Sequence, residues 1–173
     1  MKYFFLPALG FTMLSSLGCT SIAQFPINEP ATDTFNKGFV GKWKFEEDSN
    51  KNNYYEIEDG AFYHMDTYHI KFWDRGGKKR TIETGIHMTK LAGNIFISVP
   101  YLKRGEEIWD YKPSGYFFLR VIDINKDFTK MTTATVHDST LWELNAAGIR
   151  QRIFRNLNNP AYYYDTVHFY KIR

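Results

Sequence analysis

The sequence predicts an all-β domain: about eight antiparallel strands in meander order, closed into a barrel, with one short helix before the last strand. Two observations support this prediction. Aromatic residues, which favour strands, make up 18% of the 173 residues. Past residue 38 they recur in short bursts separated by Gly, Asn and Asp at hairpin spacing, which forces neighbouring strands to run antiparallel. A two-sheet sandwich is the alternative architecture.

The bursts give the strands in order. Tyr68, Ile70 and Phe72 alternate with His69 and Lys71, a period of two that is typical of a strand with two unlike faces. Residues 61–65 extend or pair with the second strand. The predicted strands are Phe39–Glu46, Tyr54–Glu58, Tyr68–Trp73, Arg80–Leu91, Ile95–Val99, Gly115–Ile124, Phe128–Val136 and Tyr162–Ile172.

The connections carry turn and capping residues. Gly76-Gly77 predicts a hairpin, because glycine adopts positive φ at no steric cost. Pro100–Ser114 reads as a longer polar loop. Asp138 reads as the N-cap of a short helix that Ala146-Ala147-Gly148 closes, and the following residues 149–159 fit no single pattern.

Composition excludes several functional classes. Net charge is +3, from 22 Lys+Arg against 19 Asp+Glu, so nothing favours a dedicated nucleic-acid binder. A single cysteine excludes an internal disulfide and a multi-cysteine metal site. The sequence therefore predicts neither cofactor nor metal.

Residues 1–18 read as a signal peptide. Lys2 precedes an apolar run from Tyr3 to Leu17 that is shorter than the roughly 20 residues of a membrane-spanning helix. Ser16-Leu17-Gly18-Cys19 resembles the lipobox of bacterial lipoproteins, in which the cysteine is acylated, with chains such as palmitate, and becomes the mature N-terminus. The resemblance implies an anchor at Cys19 and, since Thr20 is not Asp, an outer-membrane protein facing the periplasm. Ordinary cleavage after Ala23 is the alternative.

The mature chain then divides into two parts. Residues 19–37 contain Pro26 and Pro30 and show no sustained period, so they read as a flexible, lipid-anchored tether. Residues 38–173 form the predicted barrel domain.

Gly41-Lys42-Trp43, at the start of the first strand, resembles the Gly-x-Trp signature of lipocalins. In that family the Trp plugs the closed end of the barrel and a basic side chain from a late strand covers it. The resemblance implies this role for Gly41 and Trp43, with Arg155 or Arg173 as the basic partner. The family's helix also precedes its last strand, whereas its Thr-Asp-Tyr element is missing here.

Two functions remain open. A barrel with space inside binds a small apolar ligand, and a filled barrel acts as an interaction or structural module through the Pro100–Ser114 loop and exposed tyrosines. The candidate lining residues are Phe72, Ile86, Phe96, Phe117 and Leu119.

No catalytic motif stands out. Glu46-Glu47 and Glu106-Glu107 are adjacent pairs, whose side chains point to opposite faces of a strand. His69 and His87 approach each other across a hairpin, which is weak support for a metal site. We therefore expect a non-enzymatic protein of the cell envelope, whose partners are a bilayer reached through Cys19 and an apolar small molecule.

Overall fold

A computed structural model describes residues 22–27, 37–46, 53–59, 68–74, 79–100 and 115–172. These residues form eight strands, one α-helix and three 3-10 turns. The strands are β1 (Gly41–Phe45), β2 (Tyr54–Asp59), β3 (Tyr68–Asp74), β4 (Lys79–Leu91), β5 (Asn94–Pro100), β6 (Tyr116–Ile124), β7 (Lys130–Val136) and β8 (Tyr163–Ile172). The helix α1 spans Ala146–Arg155, and the turns span Lys37–Phe39, Ser139–Glu143 and Pro160–Tyr162.

The strands form one curled antiparallel sheet in sequence order. Each strand pairs with the next, and β1 also pairs with β8. The register of β3 on β4 sets Tyr68 opposite Ile86, as the predicted alternation requires. The prediction of a mainly β, antiparallel fold with a short helix before the last strand is confirmed.

The sheet has two apolar faces. The inner face, inside the curl, carries Trp43 with side chains from β2, β4, β5, β6 and β7. The outer face of β4 to β7 is covered by α1, through Ile149 and Ile153, and by residues 22–27. Strands buried on both faces read as continuous apolar runs rather than alternating ones. This explains why Tyr116-Phe117-Phe118 gives no face assignment from sequence.

Two predicted strands, β1 and β7, begin two residues later than expected, and β6 and β8 begin one residue later. Phe39 belongs to the 3-10 turn before β1, where its ring is buried. Phe128 lies in the β6–β7 turn with φ of 54°, a left-handed conformation that is uncommon for residues other than glycine. The segment 61–65 and the Arg75-Gly76-Gly77 hairpin lie outside the described residues.

The predicted helix boundary is wrong. Asp138 caps only the short 3-10 turn, accepting a hydrogen bond from the Thr140 amide. Asn145 then caps α1, with its side-chain oxygen accepting from the Gly148 amide at 2.8 Å. Gly148 therefore stands in the first turn of α1 and does not end it. The helix covers residues 149–155 of the stretch 149–159, whose pattern was ambiguous.

Arg120 of β6 ties the end of α1 to the sheet. Its Nη1 donates to the Leu157 carbonyl at 2.6 Å, and its Nη2 donates to Asn94 Oδ1 at 2.7 Å. Its guanidinium also lies 4.8 Å from the centre of the Tyr163 ring. These contacts fix the segment that connects α1 with β8.

Part of the predicted tether is docked on the domain. Ala23 exchanges two backbone hydrogen bonds with Tyr116, at 2.7 and 2.8 Å, and its side chain is buried. The Ile27 side chain is buried in the same outer cluster. Residues 22–27, which were expected to belong to the tether, therefore pack on the sheet, where their apolar side chains cover its outer face.

Candidate functional site

Trp43 is buried at one end of the curled sheet. Its side chain is 1% exposed, and its Nε1 donates to the Phe39 carbonyl at 2.8 Å. The Phe39 ring meets the Phe128 ring edge-on, with centroids 5.4 Å apart. A buried indole needs a partner for its N–H, and the 3-10 turn provides one. We call this end, built from Gly38, Phe39, Trp43, Phe128 and Lys171, the plug end.

Lys171 of β8 covers Trp43. Its Nζ lies 4.9 Å from the indole ring centre and donates to the carbonyls of Gly38 and Val40 at 2.7 and 2.8 Å. Burial lowers the pKa of this ammonium. The predicted basic partners were Arg155 and Arg173. Arg155 is exposed on α1, whereas Lys171 covers Trp43, and Arg173 lies outside the described residues. The lysine was missed because only the β1–β8 register places it opposite Trp43.

The close approach of Lys171 to β1 also explains why residue 41 is a glycine. Its φ of 136° is rarely adopted by residues with a side chain, and a Cβ there would lie 3.3 Å from the Lys171 side chain. The glycine thus lets the lysine stem pass close to β1. The Gly-x-Trp spacing then has a physical basis, since positions two apart share a strand face.

The inner face beyond the plug is apolar. Ile86, which was predicted to line the interior, is buried there beside Met88. Leu119 is half-buried against the same cluster, and the register places Phe117 on its face, opposite Val99. The other members are Ile57, Ile97, Val121 and Met131.

Phe96 does not belong to this interior. It is fully buried, but on the outer face of β5, in the cluster with α1. Its neighbours Ile95 and Ile97 point inward, so strand alternation places Phe96 outward. Phe72 lies in β3 opposite Tyr55, and its side chain is outside what the structure describes.

Threonines on the inner face mark the half away from the plug. Thr84 precedes Ile86 on β4, and Thr133 and Thr135 follow Met131 on β7; all three are buried. The Thr133 hydroxyl is buried and makes no hydrogen bond within the described part of the chain. Buried hydroxyls almost always have partners, so this one requires an explanation.

A separate polar network lies around Asp138. Its carboxylate accepts from the Thr140 amide and hydroxyl, from Arg152 Nε at 2.7 Å and from the Tyr162 hydroxyl at 3.0 Å. Burial raises the pKa of Asp138, but the donors, Thr140 first and then Arg152, outweigh it and hold the pKa below its ordinary value. Burial raises the pKa of Tyr162. The network joins the 3-10 turn Ser139–Glu143, α1 and the 3-10 turn that precedes β8.

The described residues contain neither a metal-binding cluster nor a helix that could span a membrane. No three or more His, Cys, Asp or Glu side chains cluster there in a way that could hold a metal ion. His87 is buried on the outer face beside the Tyr116 ring, and the register places Gly85 opposite His69. Within that same part of the chain, no helix has the length and apolarity to cross a bilayer. Cys19 and most of Pro100–Ser114 lie outside it.

Comparison with known proteins adds no relative: the chain matches no protein-family model, and searches of curated proteins and of solved structures found no significant match.

Proposed function

We propose that this chain is a bacterial envelope lipoprotein whose sheet forms a closed, lipocalin-like barrel that binds a small, mainly apolar ligand. The pairing of β1 with β8 supports closure, and the Trp43–Lys171 contact supports the likeness to lipocalins. We propose that the inner face is the binding surface, sealed at the plug end and reached from the other end.

The Thr133 hydroxyl carries the proposal. In a filled apolar core, a buried hydroxyl without a partner costs roughly 1–3 kcal/mol, and valine would replace it with almost no change of shape. In a ligand-binding interior, the same hydroxyl supplies a polar contact that orients an otherwise apolar molecule. The neighbouring Thr84 and Thr135 give that half of the interior the mixed character such a ligand needs.

The direct test is mass spectrometry of an organic extract from natively purified protein. Hexadecanoate is then added to folded protein from which the ligand has been removed. We expect a bound amphiphile in the extract and a higher melting temperature with hexadecanoate, because a ligand that binds only the folded state stabilises it. An empty extract together with an unchanged melting temperature would contradict ligand binding.

A matched pair of variants tests the hydroxyl. Thr133→Val removes it from the inner face, whereas Thr132→Val changes the next residue, whose hydroxyl lies 3.1 Å from His168 Nδ1 in an exposed pair. We expect Thr133→Val to weaken hexadecanoate binding about tenfold and Thr132→Val to leave it unchanged, since one hydrogen bond contributes about 1 kcal/mol or slightly more. Equal affinity in all three proteins would remove the role given to Thr133.

The anchor is tested by acyl labelling. Cys19 is the only cysteine of the chain, so Cys19→Ser is a complete control. We expect labelled acyl chains in the unmodified protein and none in the variant. Label that persists in Cys19→Ser, or absence of label in both, would contradict the lipoprotein assignment.

An interaction module with a filled barrel is the second candidate. Exposed aromatic side chains favour it: Phe25, Trp142 and Phe154 are 44%, 46% and 54% exposed. Such side chains are typical anchors of protein interfaces. This candidate predicts an empty organic extract, a stabilising Thr133→Val substitution and a protein partner in cross-linking experiments on intact cells.

A further inference from the structure

We infer that the anchored domain sits with the end opposite the plug against the bilayer, so that its ligand is a membrane amphiphile exchanged directly with the lipid. The inference rests on the acyl anchor proposed above. It is carried by where the docked segment meets the sheet, how short the remaining link is and which side chains surround that point.

The docked segment enters at the end away from the plug. Ala23 pairs with Tyr116, the first residue of β6, whereas the Phe128 ring of the plug lies in the turn after the last residue of that strand. A strand of 9 residues is about 30 Å long. The chain therefore approaches the domain at its far end, which we define as the end of the sheet where β6 begins.

The link to the anchor is short. Only Thr20 and Ser21 separate Cys19 from Ile22, the first described residue. Three residue steps span at most about 11 Å even when fully extended. An acylated Cys19 would thus hold the far end no farther from the hydrocarbon core than the thickness of the headgroup layer. A free tether of 19 residues would allow the domain to stand much farther away.

The far end presents aromatic side chains suited to that position. A Cβ at Gly115 would contact the Ile22 side chain, the Ala23 carbonyl at 2.8 Å and the Trp142 ring at 3.3 Å, so these groups meet at one point. Trp142 is nevertheless 46% exposed, and Phe25, two residues after Ala23, is 44% exposed. Trp is enriched at membrane interfaces, where its ring is half apolar and half polar.

Orientation then determines the ligand class. With the plug end turned away from the membrane, the threonine half of the inner face lies on the bilayer side. An apolar chain with one polar group can pass from the leaflet to the interior without crossing water. A water-soluble ligand would gain nothing from this arrangement.

The experiment compares two introduced cysteines on the acylated, full-length protein in vesicles of phosphatidylethanolamine and phosphatidylglycerol. Glu143→Cys lies next to Trp142 at the far end, and Lys126→Cys lies in the β6–β7 turn at the plug end; both positions are exposed. Acylated Cys19 has no free thiol, so maleimide-polyethylene glycol reports only the introduced cysteine. Protein enclosed in the vesicle lumen is protected equally in both variants, so its contribution cancels in the ratio of the two reaction rates.

We expect position 143 to react about tenfold more slowly than position 126 in vesicles, and both to react alike in soluble protein that carries Cys19→Ser, because the reaction requires an exposed thiolate. Equal rates on acylated protein in vesicles would overturn the orientation and leave the anchor intact. Absence of acyl chains would overturn both. Ligand binding is measured separately by extraction, so its failure is distinguishable from either result.

Discussion

At the scale of single residues, the plug depends on one long side chain. Lys171 donates to the backbone carbonyls of Gly38 and Val40 and also lies over the Trp43 ring. Its stem passes Gly41, where any larger residue would be strained. Four features, an N-terminal turn, a glycine, a tryptophan and a lysine from the last strand, therefore work as one unit.

Lys171→Met tests this unit. The substitution keeps the aliphatic stem and removes the donor, so the Gly38 and Val40 carbonyls lose their hydrogen bonds from this side chain. We expect the free energy of unfolding, measured in urea, to fall by roughly 1–3 kcal/mol. Lys130→Met, at an exposed position of β7, is the control and should change it by less than about 0.5 kcal/mol. Equal effects of the two substitutions would show that the carbonyl contacts contribute nothing.

Asp138 makes stability depend on acid pH. Its folded-state pKa lies below the ordinary value of 3.8, so its stabilising contribution is complete above 3.8 and is lost as pH falls through the folded-state pKa. We expect Asp138→Asn to lower the free energy of unfolding at pH 7 by roughly 1–3 kcal/mol and to flatten its decline below pH 3.8. Asp123→Asn, at an exposed position of β6, is the control for removing one carboxylate. A profile unaltered by Asp138→Asn would mean that other carboxylates cause the acid sensitivity.

At the scale of elements, α1 shows why sequence reasoning misplaced a boundary. Asp138 is a genuine cap, but of a 3-10 turn, and Asn145 caps the helix seven positions later. Glycine after two alanines resembles a helix end, whereas here Gly148 leaves room for the Asn145 and Leu144 side chains. The decisive signal was the pair Ile149 and Ile153, four residues apart, which form the buried stripe of α1.

Two neighbouring residues of α1 differ in burial, so together they test which face of the helix packs on the sheet. Ile153 is fully buried against the sheet, and Phe154 is 54% exposed. We expect Ile153→Ala to destabilise the fold by roughly 2–5 kcal/mol, because it leaves a cavity between helix and sheet. Phe154→Ala should change stability by less than about 0.5 kcal/mol. Chemical denaturation of both variants checks this, and a larger loss for Phe154→Ala would place α1 in a different rotation on the sheet.

Gly115 controls docking of the N-terminal segment. Gly115→Ala should push Ile22 and Ala23 off β6, because a Cβ would overlap the Ile22 side chain. We expect amide hydrogen exchange at Ala23 to accelerate strongly while amides in β4 and β5 stay protected, since only one edge contact is lost. Gly93→Ala is the control: it has a positive φ but open space around its Cβ position. An unchanged exchange rate at Ala23 would show that the segment shifts to accommodate the Cβ and stays bound to β6.

At the scale of the whole molecule, the order of the strands was easier to predict from the sequence than the pairing of the first strand with the last. Alternation and turn residues are local, so they predict the strands β3, β4 and β5 and the turn between β4 and β5 well. The pairing of Trp43 with Lys171 joins residues at opposite ends of the domain, and no local pattern contains it. The same reason explains why the Thr133 hydroxyl went unnoticed: its isolation depends on side chains from other strands.

Removing β8 tests whether the molecule depends on that long-range pairing. A chain that ends at residue 162 keeps α1 but lacks β8 and therefore Lys171. The edges of β1 and β7 that pair with β8 in the full chain are then left unpaired. Exposed strand edges with unpaired N–H and C=O groups recruit other chains, so we expect association and a broad, non-cooperative urea transition. Deletion of Arg173 alone leaves all described β8 pairs intact and should leave the oligomeric state and the sharpness of the urea transition as in the full chain. Light scattering and denaturation measure both properties, and a monomeric, cooperative truncated chain would mean that the sheet is stable without meeting its first strand.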